Sequence, residues 1–365
     1  MYAAAKEKVL ETYKKHETRF DVLFFICGFI FDALLVTEID HLFSIIQQAV
    51  YLIIIASFLH HEILFRLHKW RPPQGIMGRL WGYRNPFLHF LLGTLLNIYS
   101  LFYIKSASLV SSLVFLLLMV GLIFANESHL IKQAKVSLKV GLFSICLFSY
   151  ISILFPIILG FIGWTTFGLS VATTLAVFYL QFWFLERKLS DKKVLFEAVL
   201  VPSFSVLTIF TLFYVLGWIP PIPLSVKEQG IYHLVQKKDG HYLLSTEKVW
   251  WKFWQSGDEE FKARPQDVIY YYSQIYSPAR FSDQIFIQWL WKDPQNGWKK
   301  TDRIPLQFLG GRKEGFRGYA SKSNYQPGEW RVRVETAMGH EISRLDFEVT
   351  ADTGTEPRNF TVHEK

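Results

Sequence analysis

Three groups of side chains in this sequence have types and spacings that could do chemistry. The first is a carboxylate inside an apolar run. Asp32 lies within residues 22–37, and Gln47 and Gln48 follow in the next run. An ionisable group in hydrocarbon is costly and marks a functional site by default, with the two glutamines as its partners. The plainer reading is a hydrogen bond to a neighbouring helix, or a position at the membrane edge. The second group is His60, His61 and Glu62, with His89 opening the next run and Glu197 a later one. Adjacent histidines on a helix point about 100° apart, so one metal ion would take one of them together with Glu62 or His89. The spacing matches no His-Glu-x-x-His pattern, and interfacial hydrogen bonding is the plainer role.

The third group lies in the polar last part of the chain. Trp250, Trp251 and Trp254 are interleaved with Lys248 and Lys252, and Arg317, Arg331 and Arg333 follow. Exposed tryptophans stack on sugar rings, and arginine grips carboxylates and phosphates with two hydrogen bonds. These residues therefore suit an acidic glycan or a lipid headgroup. Against that, Trp289, Trp291 and Trp330 alternate with polar residues as core positions do, and Arg331 and Arg333 have Asp346 and Glu348 to pair with as a solvated face. Trp250, Trp251 and Trp254 cannot all face one core, which leaves one or more for a membrane or a partner. No Gly-x-Ser-x-Gly, phosphate loop, zinc spacing or activated cysteine occurs, and Asp258, Glu259 and Glu260 read as an acidic loop. The sequence names no catalytic residue and no cofactor. Cys27 and Cys146 both fall in apolar runs and read as packed thiols.

The elements that must position these residues divide the chain in two. Mean hydropathy is +0.20 over 365 residues, yet almost all the long apolar runs precede Trp218. Residues 1–221 carry 18 Lys and Arg against 12 Asp and Glu; residues 222–365 carry 21 against 19. A single soluble domain and a disordered chain are both excluded. A nucleic-acid partner is disfavoured, because the basic excess lies beside apolar runs and not in one patch. Residues 1–20 are charged, with no apolar core and cleavage site to make a removed signal. Seven runs approach the length that crosses about 30 Å of hydrocarbon: 22–37, 42–65, 86–104, 107–126, 137–159, 162–184 and 195–218. The first is the shortest. The fifth and sixth meet at Pro156, Gly160 and Gly163, as a tight turn or a re-entrant pair. Alternate connecting segments hold 17 of the 18 basic residues, the exception being Lys105. Basic loops stay in the cytoplasm, which places the amino terminus inside and, after seven spans, the carboxyl domain outside.

From Pro220 the pattern becomes strand and turn. Asp239-Gly240 is a hairpin signal between Gly230–Gln236 and His241–Thr246. Residues 283–292, 328–336 and 340–350 alternate apolar with polar. Seven or eight short strands predict an all-β, immunoglobulin-like sandwich after a polytopic α-helical membrane bundle of about seven spans. The division reads as a cytoplasmic segment 1–20, a transmembrane domain 21–219, a linker 220–229, a sandwich 230–350 and a fraying tail 351–365. The run Phe286-Ile287-Gln288-Trp289-Leu290-Trp291, with Gly297-Trp298, Gly311-Arg312, Gly315-Phe316-Arg317 and Pro327-Gly328-Glu329-Trp330-Arg331-Val332, resembles a bacterial family called domain of unknown function 2914 over roughly residues 285–350. The resemblance implies a domain that closes proteobacterial membrane proteins, preceded by an uncharacterised multi-span region. It brings no activity.

The function expected is that of a non-enzymatic protein of the bacterial inner membrane, whose periplasmic sandwich binds a protein, glycan or lipid partner. The alternative is a transporter or intramembrane enzyme using the polar residues of the bundle. The linker Pro220–Ser225 spans at most roughly 20 Å, so the sandwich should dock on the helices, with the Trp250–Trp254 segment as the part touching lipid or the outer loops. Orientation is directly checkable. Alkaline phosphatase fused after Leu224 should be active and green fluorescent protein there dark; the reverse pattern would remove the external domain.

Overall fold

The computed structural model describes residues 39–71, 75–127, 136–189, 192–249, 251–252, 254–278, 281, 284–306 and 315–365. The run 22–37 lies outside these. The other six apolar runs are helices: α1 (Leu42–Arg66), α3 (Arg84–Lys105), α4 (Leu109–Glu127), α5 (Val136–Leu159), α6 (Trp164–Glu186) and α7 (Lys193–Val215), with a short α2 (Ile76–Gly82) between the first two. All but α2 and α4 are long and apolar enough to cross a membrane; in α4 the apolar helix is the shorter Val110–Asn126. Chain punctuation sets the breaks. Gly160, at φ +81°, ends α5 in the left-handed region that glycine tolerates. In α7, Pro202 would drive its ring into the carbonyl four residues back. A π-turn over Phe196–Leu200 widens the helix just before it.

Burial sorts the helices. About two-thirds of the apolar windows of α3 and α5 is buried (67% and 61%), against 22% for α1 and α6 and 33% for α7. The two central helices supply a dry core that includes Leu92, Leu95, Leu96, Tyr99, Phe143 and Phe148. The outer ones turn Leu42, Ile53, Leu117, Tyr179 and Leu212 outward, each more than half exposed. An apolar belt of that extent is a surface for lipid and not for water. A buried ion pair enters the core. Lys139 belongs to α5 and is wholly buried, whereas its place in the sequence suggested a basic loop. Its ammonium donates to Glu62 Oε1 and Oε2 at 3.0 and 3.2 Å and to Asn85 Oδ1 at 2.8 Å. Arg66 grips the same Glu62 carboxylate from one turn on, at 2.9 Å. The cluster ties α1, α3 and α5 together at one end.

Among the described residues eleven strands follow: β1 (Ser225–Tyr232), β2 (Leu234–Lys238), β3 (His241–Thr246), β4 (Glu260–Ala263), β5 (Ile269–Tyr276), β6 (Ile285–Asp293), β7 (Gly297–Leu306), β8 (Phe316–Lys322), β9 (Gly328–Thr336), β10 (Glu341–Ala351) and β11 (Thr361–Glu364). They form a five-stranded sheet of order β4-β10-β9-β6-β7 and two three-stranded sheets, β1-β5-β8 and β11-β3-β2. Tyr270, Tyr271 and Tyr272 show how three sheets share two cores. Side chains alternate along a strand, so Tyr271 enters the large core with Trp289, Trp330 and Val332, while Tyr270 and Tyr272 face the small one with Val235, Tyr242 and Leu244. The Asp239-Gly240 turn has both residues at positive φ, as a tight two-residue hairpin requires. Two segments differ from their expected form. Strand β1 begins inside the expected linker, pairing Ser225 with Tyr276. The tail does not fray: Thr361–Glu364 pairs with β3, because Arg358 and Phe360 pack on residues ahead of it.

The β region is seated on one end of the bundle. Tyr276 Oη donates to Asp40 Oδ1 at 2.8 Å. Ser108, between α3 and α4, donates to the Glu341 carboxylate. The His340 ring stands edge-on to Tyr214 of α7 at 5.0 Å. Ile162, between α5 and α6, packs on the large β core. The described basic residues Arg66, Lys69, Arg71, Arg79 and Arg84, with Arg187, Lys188 and Lys193, lie at the opposite helix ends.

The Glu62 cluster makes a prediction. Glu62→Gln strands the buried Lys139 ammonium and should cost about 3 kcal/mol or more. Lys139→Met leaves Glu62 paired with Arg66 and should cost less, and the double variant less than the sum. Denaturant titration of the full protein in detergent measures all three.

Candidate functional site

Within the bundle, the residues singled out from the sequence do not converge. Asp32 lies outside the described residues. Gln48 is buried on α1, and Gln47 Nε2 donates to Tyr51 Oη one turn on at 2.8 Å. His61 Nδ1 meets the Ser57 carbonyl at 2.8 Å and its ring stands edge-on to Trp70 at 5.0 Å. His89 Nδ1 faces Asn126 Oδ1 at 3.0 Å, while the Asn126 amide donates back to the His89 carbonyl at 3.1 Å. Glu62 is engaged by Lys139 and Arg66, and Glu197 is exposed. Gln47, His61, His89 and Glu62 each have a separate partner, and among the described residues no three of His, Cys, Asp or Glu are placed to hold a metal ion. Of the expected set, His60, His61 and Glu62 share α1 and His89 lies on α3.

The arginines do not form one platform either. Arg317 is on β8, in a different sheet from Arg331 and Arg333 on β9. Arg331 makes the expected cross-strand pair, bidentate to Asp346 at 2.6 and 2.8 Å, and lies 4.0 Å from the Trp298 ring centroid. Arg333 turns to Glu341 at 3.5 Å and not to Glu348, because it stands opposite Arg344 in the register.

The aromatic segment is at the end of the β region remote from the helices, which corrects the expected lipid contact. Strands β1 and β10 start at the bundle and β5 ends there. Lys252 pairs with Glu260 at 2.7 Å, and Glu260 pairs in register with Glu348. At about 3.3 Å per residue, Glu348 is roughly 23 Å along β10 from Glu341. Trp251 and Trp254 are 50% and 60% exposed there, with ring centroids 5.7 Å apart. Trp250 lies outside the described residues.

The loop that carries these tryptophans also closes a cleft of about 520 Å³ along the flank of β1. Lys227, Gln229 and Tyr232 line one wall, Lys248 and Ser256 the loop side, and His363 comes from β11. Behind the loop is a buried acid–base pair that the sequence gave no reason to join. The Asp258 carboxylate accepts from Thr246 Oγ1 at 2.7 Å and from the Glu247 N–H at 2.9 Å. Its second oxygen is 3.9 Å from His233 Nε2, whose ring stacks on Phe261 at 4.1 Å. Arg358 reaches His233 Nδ1 at 3.5 Å and Asp267 at 2.7 Å, tying the returning tail to the loop. Burial pushes Asp258 up to about 6 against those hydrogen bonds. Burial and then Arg358 push His233 down to about 4.

Comparison with known proteins adds a family for one segment. Residues 282–349 match a protein family of unknown function, DUF2914; the match takes in β6 to β9 and most of β10. No curated protein matches the chain. Among solved structures, Pseudomonas fluorescens alkylpurine DNA glycosylase AlkC bound to DNA containing an abasic site analog aligns at 10% identity over 86% of this chain and 99% of its own. The TM-score is 0.19, and nothing is carried over from it.

The buried pair predicts a pH response. Between pH 4 and 6 the folded protein holds a proton on Asp258 that the unfolded chain, titrating near 3.8, has released. It lacks the proton on His233 that the unfolded chain, titrating near 6.5, holds. The two effects oppose each other. Asp258→Asn should therefore lose stability relative to wild type as pH falls from 6 to 4, and His233→Gln should gain, each by up to about 1.4 kcal/mol per pH unit. Thermal unfolding of the full protein across this range checks both slopes.

Proposed function

We propose that this is a bacterial inner-membrane protein with a cytoplasmic amino terminus and seven spans, whose extracytoplasmic, immunoglobulin-like β region binds an envelope partner and catalyses no reaction. The orientation rests on charge: the helix ends that meet the β region are those whose connecting segments are poor in Lys and Arg. The lipid-facing belt supports the membrane assignment. Binding rests on one observation above the others, the pair of exposed rings at Trp251 and Trp254 on the end of the β region turned away from the helices. Two large aromatic side chains that are each half or more exposed are the kind of surface that partners cover.

The test uses the full protein in nanodiscs and purified envelope fragments from which other proteins have been stripped. Wild type should co-sediment with the fragments, and the Trp251→Ser, Trp254→Ser double variant should be retained at least fivefold less. Equal retention of the two, with the variant folded by circular dichroism, would count against this surface.

A further inference from the structure

We infer that the returning segment Asp352–Lys365 sits on the β region as a tethered peptide does. Its seat is a docking groove for an extended segment of a partner protein that carries an arginine, one further residue, an aromatic residue and then a strand. The segment behaves as an occupant and not as part of the core. Among the described core residues none comes from it. All of it is exposed except Asp352 and Arg358, and even Phe360 and Val362 keep 42% and 56% of their surface in water. Main-chain pairing and one arginine do most of the holding. Extended peptides are recognised in this way at sheet edges, where the backbone supplies affinity and a few pockets supply specificity.

The main-chain part of the groove is the outer edge of β3. Thr361–Glu364 pairs antiparallel with Leu243–Thr246, and Lys365 exchanges two hydrogen bonds with Tyr242 at 2.8 and 2.9 Å. Bonded pairs recur every second residue, so His363 and Thr361 make the others. Between them the Ser245 carbonyl turns the other way and accepts from the His233 N–H at 3.0 Å. Strand β3 is paired with β2 on that side over its whole length. The edge is therefore built without the segment, and an edge left open is a template for another strand.

The selective part is a seat for a guanidinium. The Arg358 side chain is 9% exposed. It donates from Nη1 to Asp267 Oδ2 and from Nη2 to the Lys262 carbonyl, both at 2.7 Å, and its Nε stands 3.2 Å from Glu247 Oε1. All three partners lie outside the segment, and Asp267 is held in place by the Arg264 N–H at 2.8 Å. Without an occupant the seat would keep two partly buried carboxylates and no cation between them. Charge thus selects a basic residue, and donors spread over one plane select arginine over lysine. Two residues on, the Phe360 ring lies 5.3 Å from that of His233. The exposed stretch Thr353–Pro357 joins the occupant to β10, so it can leave without unpairing β10. A tethered occupant competes at an effective concentration of about millimolar, which keeps the groove shut to poorly matched segments. The proposal goes beyond the tryptophan surface and does not depend on it.

The experiment uses the full protein in nanodiscs and, as probe, a fluorescein-labelled peptide of residues 355–365. Arg358→Ser with Phe360→Ser in the protein loosens its own tail. Fluorescence anisotropy should show this variant binding the probe at least tenfold tighter than wild type does. In the probe, Arg358→Lys and N-methylation at His363 should each weaken binding about fivefold or more, whereas Val362→Ser, at an outward side chain, should leave it unchanged. Should the double variant fail to fold by circular dichroism, wild type with a protease site placed across Thr353–Glu356, cut and washed free of its tail, takes its place. Folded protein that binds no probe, or that binds a scrambled probe as tightly, would overturn the inference. So would indifference to arginine or to the backbone N–H of the probe. Wild-type dimers in mass photometry that Arg358→Ser dissolves would give the groove to a second copy and overturn the assignment to a partner.

Discussion

Glu341 carries a carboxylate that is almost withdrawn from water at the junction of helices and strands, and the placement of the whole β region follows from how that charge is satisfied. Arg344 holds it with two hydrogen bonds of 3.0 and 2.7 Å, Arg333 stands at 3.5 Å, and Ser108 donates from the bundle side. An ion buried without partners costs several kcal/mol. The strand hairpin can therefore keep its carboxylate dry only with both arginines and the helix-end serine in place. Arg303 and Glu335 pair beside it at 3.2 Å and extend the polar seam along β7 and β9. Burial also lowers the affinity of the neighbouring His340 for protons, which favours a neutral ring against Tyr214. With the hairpin fixed there, β10 and β1 can only run away from the helices, and the loop of Trp251 and Trp254 is carried to the far end.

The bundle answers a second constraint, that a lipid-facing helix must hide its few polar groups inside. Glu62, Lys139 and Asn85 meet one another at one end. Some hydroxyls deeper in the core meet each other, as Ser144 and Ser203 do at 3.1 Å and Tyr103 and Ser149 at 3.3 Å. These contacts leave the outer faces of α1, α6 and α7 free of charge over most of their length, which a hydrocarbon surround requires.

Much of this architecture was legible in the sequence because periodicity is a local signal. The helix over residues 84–105 and the pair 136–159 and 164–186 lie within two residues of the apolar runs that foretold them. Alternation put Ile287, Trp289, Val332, Val334 and Phe347 in the core, and all are buried. What local pattern could not carry is who meets whom. Lys139 reads as the last residue of a basic loop until α1 brings Glu62 to it. Ala351–Lys365 has no apolar face to announce a strand, and its pairing with β3 depends on Arg358 finding Asp267 and Glu247. Trp251 and Trp254 are each half or more exposed, and the distance of their segment from the helices depends on the parallel pairing of β4 with β10, a contact between residues almost ninety positions apart. Glu341 gave no signal beyond a lone acid after a turn.

The central claim is that the Met338–Glu341 turn, and not the tryptophan loop, meets the helix ends. Cysteine cross-linking in native membranes tests it most directly, with Cys27 and Cys146 replaced. A side chain at Gly163 would touch Met338 Sδ at 3.2 Å. Gly163→Cys with Met338→Cys should therefore form an intramolecular disulfide on mild oxidation, and Gly163→Cys with Trp251→Cys should not. Cross-linking of the second pair in preference to the first would contradict the account.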